Sequence, residues 1–440
     1  MLKVKEKVAY GLGDTASNIV FQTVMLFLAF FYTDIFGLSP ALVGVLFLSI
    51  RILDAVTDPL MGALTDRTKS KHGHFRPYIL WLAVPFGAIS VLTFTTPDLG
   101  DTGKIIYAFA TYALLMIAYT AINIPYSALG GALTANPDER VTVQSYRFTF
   151  GMLGGLIVSA LTIPLVDWLG QGDKAVGYQL TMVVMSIAGV VMFLICFWGT
   201  KERVAIPQNS HRPLKADLQL LWQNDQWRVL CAAAFVLLLG MVLRNTLAIY
   251  YVKYYLEAES LITQFMTLGM IGNILGCVIS AYVAKKICKI KLYRVLQVIA
   301  GVISAASVFV ASDSLILAFA MHFLWGFFLQ MATPLLWAKM ADVVDYGHAK
   351  TGERLTGVVY STIVFFIKLG LALGGAAAGW LLAFYGYEAG ETQSETVKEG
   401  ILWSFTVFPA ICFFLVAFLM RRYSLNRHRV MAIQDELQLS

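Results

Sequence analysis

The chain has 440 residues, of which 58% are apolar and only 14% charged, with a net charge of +6 and a mean hydropathy of +0.70. Ordinary globular chains carry about 25% charged residues, so a soluble protein of this composition could not cover its surface with polar groups. The apolar residues come in continuous blocks of about twenty, the length needed to cross roughly 30 Å of hydrocarbon. The alternating segments of about ten that mark an outer-membrane barrel do not occur.

In chain order the blocks predict spans near 14–36, 41–64, 77–96, 104–127, 147–169, 177–198, 228–252, 261–284, 293–311, 314–338, 356–384 and 400–420. Lys3, Lys5 and Lys7 lead into a full-length first span, as in an uncleaved anchor. Residues 199–227 form the longest polar break between the second and eleventh spans and divide the set six and six. The predicted fold is an all-α membrane protein with twelve transmembrane helices in two six-helix bundles. The N-terminal bundle is expected at 1–198, a cytoplasmic linker at 199–227, the C-terminal bundle at 228–420 and a cytoplasmic tail at 421–440. A weak repeat supports two similar halves: Pro125 precedes Asp138-Glu139-Arg140, and Pro334 precedes Gly352-Glu353-Arg354. Such halves suit a transporter with its site between them. In span 11, Gly370 and Gly374, and Gly375 and Gly379, are spaced four apart, as in close helix packing.

The lysines and arginines outside the spans gather on the side of the N-terminus, with only Lys104, Lys174, Lys253 and Lys398 opposite. Positive loops stay in the cytoplasm, which predicts both termini there and an even number of crossings. The basic excess is thus topological, and nucleic-acid binding is not expected. Cys196, Cys231, Cys277, Cys288 and Cys412 form no CxxC pair, so neither a disulfide framework nor a zinc site is expected. His322 stands alone in span 10 and reads as packing. No HExxH, P-loop or nucleophile elbow appears, so the chain is not expected to be an enzyme.

Span 2 reads Arg51-Ile-Leu-Asp54-Ala-Val-Thr57-Asp58-Pro59. At about 100° per residue, Arg51, Asp54 and Asp58 share an arc of roughly 60°. Each ion at the bilayer centre costs at least about 2.5–3.5 kcal/mol. Arg51 balances one carboxylate, and the second, one turn away, repels the first. A monovalent cation, Na⁺ or H⁺, would relieve both problems, with Asp54 and Asp58 as hard oxygen ligands and Thr57 on the flank. The alternative is a static salt-bridge network between helices.

Span 4 carries Tyr119, Thr120, Asn123, Pro125, Tyr126 and Ser127. Tyr119, Asn123, Tyr126 and Ser127 make one polar and aromatic stripe. Hydroxyls, an amide and flat rings suit a sugar, though hydrogen bonding between helices would use the same groups. Asn18, Asn245 and Gln330 add amides at membrane depth. Arg244 and Lys368 lie within spans and are expected to face an aqueous cavity. Arg51, Arg147, Arg244 and Lys368 stand against two clear acids in the spans, a cation surplus that would suit a carboxylate-bearing substrate.

The segment from Gly62-Ala-Leu-Thr-Asp66-Arg67 to Arg76-Pro77 resembles the loop 2–3 signature of the major facilitator superfamily. More specifically, Tyr10-Gly11-Leu-Gly13-Asp14, Phe31-Tyr32-Thr33-Asp34, the Arg51–Pro59 run, Asn123-Ile-Pro125-Tyr126 and Ala341-Asp342-Val-Val-Asp345-Tyr346-Gly347 look like the glycoside–pentoside–hexuronide:cation symporters, the melibiose permease group. The resemblance covers nearly the whole chain. It implies uptake of glycosides with Na⁺, H⁺ or Li⁺ by alternating access. It places Asp54 and Asp58 at the family's cation carboxylates, Thr120 and Lys368 near that site, and Arg51, Tyr119 and Arg147 at the sugar site or its lining. Departures also follow. The melibiose permease has a Lys-Asp pair at Ser17-Asn18, asparagine at Thr57, aspartate at Asn123 and tryptophan at Ser127. An amide binds a hydroxyl but donates as well as accepts and carries no charge. The changes point away from melibiose and leave Na⁺ and H⁺ both open.

The expected protein is a sugar symporter of a bacterial-type cytoplasmic membrane, working as a monomer, with no cofactor beyond the coupling cation. Its substrate-binding residues are expected to be Asn18, Arg51, Tyr119, Asn123, Tyr126, Arg147, Arg244 and Lys368. Asp54, Thr57, Asp58 and Thr120 would hold the cation. Asp66, Arg67, Arg76, Asp342, Asp345, Glu353 and Arg354 would form a cytoplasmic lock. A lipid or lysolipid carrier of the same fold, or a sensor that binds sugar without moving it, are the alternatives. The sequence leaves the sugar, its acidity and the conformational state undetermined.

Overall fold

The computed structural model describes the backbone of residues 2–204, 214–387 and 393–437, with side chains at all of these except 40, 41, 48, 51, 52, 55 and 214. Among the described residues every regular element is a helix. They are α1 (Val4–Thr23), α2 (Pro40–Arg67), α3 (Arg76–Thr93), α4 (Asp101–Ala132), α5 (Pro137–Gly170), α6 (Lys174–Gly199) and α7 (Leu214–Gln223). Then follow α8 (Asp225–Tyr250), α9 (Ile262–Lys286), α10 (Lys289–Ala306), α11 (Leu315–Thr351), α12 (Thr356–Phe384), α13 (Glu395–Leu419) and α14 (Arg427–Glu436). All but the ten-residue α7 and α14 have 18 residues or more. Among the described residues ten of the long helices, α3–α6 and α8–α13, are long and apolar enough to cross a membrane. π turns at Val24–Leu28 and Phe31–Ile35 prolong α1.

Local chemistry sets the starts. Asn136 Oδ1 accepts from the N–H groups of Asp138 and Glu139, and Pro137 occupies the first turn, so α5 begins well before its apolar block. Asp173, Asn224, Ser394 and Asn426 cap α6, α8, α13 and α14 in the same way. α11 ends where Gly352 turns into the left-handed region at φ 76°. Helices therefore overrun the predicted spans. Asp138-Glu139-Arg140, Asp342 and Asp345, expected in loops, lie on α5 and α11, because hydropathy marks only the apolar length of a helix. The segment at 199–227, expected as a polar linker, contains α7 and the first turn of α8, and the tail at 421–440 contains α14.

The chain divides into two compact units: Met1–Leu218 with Glu353–Ser361, and Gln219–Gly352 with Thr362–Gln438. In the first, α1 packs on α5 and α6, α3 on α4 and α6, and α2 on α4. The segment after α6 ties the unit together. Glu202 accepts from the backbone N–H groups of His74, Phe75 and Arg76 and so caps α3. Arg203 donates to both carboxylate oxygens of Glu6 in α1.

In the second unit α9 packs on α11, α8 on α13, α10 on α11 and α13, and α14 on α11. Its core is aromatic: Tyr251 stacks on Phe405 at 4.2 Å and His322 on Phe265 at 4.0 Å, so His322 is packed as expected. The span-11 glycines split in two. Gly370 and Gly374 lie against the α8 carbonyls of Phe235 and Leu239, where a side chain would collide, whereas Gly375 and Gly379 face nothing within 4 Å.

Candidate functional site

The polar interior of the first unit is assembled by α1, α2, α4 and α5. Asp54 and Asp58 of α2 are 2% and 0% exposed, so both carboxylates face the protein interior and not lipid. Thr120 of α4, also buried, donates to Asp58 Oδ1 at 2.9 Å. Thr57 stays on its own helix, where its hydroxyl donates to the Leu53 carbonyl at 3.1 Å. Pro59 and Pro125 sit inside α2 and α4. Each removes the N–H that would bond the carbonyl four residues earlier, leaving the carbonyls of residues 55 and 121 without that partner. Arg51, the third charge expected on this face, lies outside the described side chains.

One helix pair away, Arg147 of α5 is 3% exposed. Its Nε donates to Asp14 Oδ1 of α1 at 2.8 Å and its Nη2 to Ser127 Oγ at 3.0 Å. Asn18, one turn beyond Asp14, donates to Asp14 Oδ2 at 3.2 Å and to the Asp14 carbonyl at 3.0 Å. The Arg147 guanidinium also lies 5.0 Å from the centre of the Tyr126 ring. That ring stacks on Tyr10 at 4.8 Å, and its hydroxyl donates to the Tyr10 carbonyl at 2.6 Å. Tyr126 is thus fully engaged and orients Arg147. Gly151 makes the arrangement possible, because a Cβ there would overlap Asp14 Oδ2.

Tyr119 connects the two groups. It is half-buried, stacks on Phe21 at 5.2 Å, and lies within electrostatic reach of Asp14, Arg147, Asp54 and Asp58. Asn123, one turn along α4, is also half-buried. The first unit thus brings Asn18, Tyr119, Asn123, Tyr126 and Arg147 of the expected sugar set into one region with Asp54, Asp58 and Thr120.

Two residues of that set belong to the second unit. Arg244, 1% exposed, is held between rings, its guanidinium 4.1 Å from the Phe405 centroid and 4.7 Å from that of Trp325. Its Nη1 donates to Ser304 Oγ at 2.8 Å and to the Phe405 carbonyl at 3.0 Å. Lys368 is half-buried on α12.

Asp14 is the buried acid of this cluster that sequence reasoning overlooked. It lay at the edge of the first predicted span, where an acid passes for a boundary residue. Its spacing of four from Asn18 was the available signal. The expected cation surplus needs correction accordingly: Arg147 has a buried acid as its partner, so it gives no argument for an acidic substrate.

The residues expected to form a lock make several contacts, and Asp66 lies within electrostatic reach of Asp217 and Arg354. Asp66 accepts from the backbone N–H of Gly357 and of Val358 at 3.1 Å on the second. Arg67 pairs with Asp217 of α7 at 3.2 Å. Arg76 donates to the Phe197 carbonyl at 2.7 Å and lies over that residue's ring. Asp345 accepts from Gln434 of α14 at 3.0 Å. Asp342 and Arg354 are buried, and Glu353 is half-buried.

Residues 9–427 match the family described as MFS/sugar transport protein. The chain is 42% identical over 439 residues to the inner membrane symporter YicJ of Escherichia coli (strain K12), covering 99% of this chain and 95% of the relative. It is also 42% identical over 437 residues to the putative glycoside/cation symporter YagG of the same organism, with the same coverage. Among solved structures, the major facilitator transporter FucP superimposes with a TM-score of 0.71 over 96% of this chain and 99% of that one. At 14% identity this speaks for the fold. With the helical membrane architecture and a match over nearly its whole length, the chain belongs to the MFS/sugar transport family, the glycoside–pentoside–hexuronide branch of the major facilitator superfamily, and is a multi-pass membrane transporter and not an enzyme.

Proposed function

We propose that this protein is a secondary active symporter that takes up a glycoside with Na⁺ or H⁺ across a bacterial inner membrane by alternating access. The observation that carries the reading is the α2 pair: Asp54 and Asp58, one turn apart and both buried, with Thr120 donating to Asp58. Two carboxylates at that spacing resist being ionised together, and a bound monovalent cation stabilises both. Asp54, Asp58 and Thr120 are the residues that would hold it. Arg147, Asn18, Asn123 and Tyr119 supply donors, an amide acceptor and a ring for the sugar. The neutral amides at Asn18 and Asn123 favour neutral sugar hydroxyls as the groups recognised. Coupling requires only that each ligand improve the other's binding, by an amount typically 1–3 kcal/mol.

Asp58→Asn in proteoliposomes tests the reading. The expected result is loss of cation-driven accumulation of labelled glycoside, with exchange of sugar across the membrane retained. Accumulation at the wild-type level in that variant would falsify the symport assignment.

A further inference from the structure

We propose that the groove between the start of α10 and the end of α13 is a binding site for an anionic phospholipid. The groove belongs wholly to the second unit and has a volume of about 800 Å³, within the range of specific small-molecule sites, roughly 300–1,000 Å³. Its two parts differ in chemistry. Val298, Phe414 and Phe418 are among the apolar residues that line its length, whereas Lys291, Arg294 and Arg421 stand among its lining residues, none of which is acidic. The three cations lie toward one end of the helices: Lys291 and Arg294 in the first two turns of α10, Arg421 just past the last residue of α13. The Arg421 guanidinium lies 5.6 Å from the Phe418 ring centre, at the border of the apolar part. Arg294 is half-buried, and its Nε has no hydrogen-bond partner.

The pattern matches one ligand class. An acyl chain fills the apolar length, and a phosphate meets the cations and the positive end of α10. A zwitterionic lipid would offer the same chains, but its amine offsets the phosphate that the cations attract. A small anion would use the cations and leave the apolar length uncovered. The groove's lining includes none of the residues assigned to sugar and cation, so the proposal does not depend on the transport reading.

The test uses the full-length protein, delipidated in detergent, with native mass spectrometry and thermal unfolding read against added phosphatidylglycerol, phosphatidylcholine and glycerol phosphate. Phosphatidylglycerol is expected to be retained and to raise the melting temperature more than phosphatidylcholine, with no effect of glycerol phosphate. Juxtamembrane cations typically each strengthen anionic-lipid binding by about five-fold. The R294Q/R421Q variant is therefore expected to retain phosphatidylglycerol about twenty-five-fold less well and to lose the preference. Val298→Trp, which keeps every cation but fills the groove, serves where the double variant does not fold and is expected to lose retention as well. Equal stabilisation by the two lipids, a shift reproduced by glycerol phosphate alone, or wild-type phosphatidylglycerol retention in Val298→Trp would each overturn the site.

Discussion

At the scale of single residues, the pair Asp14–Arg147 and the pair Asp58–Thr120 do different things. Asp14 and Arg147 are both buried, and breaking a buried pair costs about 3–5 kcal/mol. Asp14→Asn is expected to lower the melting temperature in detergent and to weaken sugar binding. The double change Asp14→Leu/Arg147→Met regains most of the stability and none of the binding. Scanning fluorimetry with a sugar titration reads both quantities. Thr120 donates to Asp58, and a hydrogen bond to a charged group is worth about 1.5–3 kcal/mol. Thr120→Val separates the two coupling ions by the variable its effect follows. With Na⁺ as the coupling ion, an oxygen beside the carboxylate is lost, and the half-saturating Na⁺ concentration rises about ten-fold or more. With H⁺, the pH dependence of uptake changes and Na⁺ has no effect. Uptake assays over a grid of pH and Na⁺ concentration distinguish these outcomes, and an unchanged grid would dismiss Thr120 from the cation site.

At the scale of helices, glycines decide how near two backbones come. Gly151 of α5 faces Asp14 of α1, and a Cβ added at Gly154 would lie 3.0 Å from the Thr15 carbonyl oxygen. Gly151→Ala is expected to displace the Asp14 carboxylate and to abolish transport while the protein still reaches the membrane. Gly375→Ala on α12 meets nothing within 4 Å. There the better helix propensity of alanine, about 0.5–1 kcal/mol, is expected to leave transport intact and stability equal or slightly higher. Transport and melting temperature measured side by side for the two variants check the contrast. Four-residue spacing in the sequence marked the α12 glycines but could not say which of them touch a neighbour. The backbone of α8 answers for Gly370 and Gly374 only.

For the molecule as a whole, the fold was legible in the sequence because hydropathy reports directly on the hydrocarbon that a helix must cross. Among the described residues twelve long helices follow the predicted blocks in order, and α12 has the predicted bounds. Where helices extend into water the signal fails, since hydropathy is blind to a polar overhang such as Asp138-Glu139-Arg140 or to α7 and α14. The site was half legible. A charge on an apolar helix stands out, which exposed Asp54, Asp58 and Arg147. A charge at the edge of an apolar block does not, which concealed Asp14. The surroundings of Arg244, two rings and a carbonyl drawn from α11 and α13, depend on tertiary packing that no local pattern encodes. Membrane orientation has its own test. Among the cysteines Cys288, between α9 and α10, is exposed, Cys412 is partly buried and the others are buried. With Cys412 replaced by alanine, a membrane-impermeant maleimide is expected to label Cys288 in inside-out vesicles and not in intact cells. The reverse pattern would place both termini outside.

The ion pair that closes the first unit also bears on how the protein is made. Arg203, which holds the Glu6 carboxylate, is translated 197 positions after it. Since domains assemble as units during synthesis, the Glu6 carboxylate is unneutralised by this partner until six long helices have been made. A nascent chain arrested short of that arginine would still hold the start of α1 through Glu139, which accepts from the Leu2 N–H and pairs with Lys7, and would lack only the tie to the segment after α6.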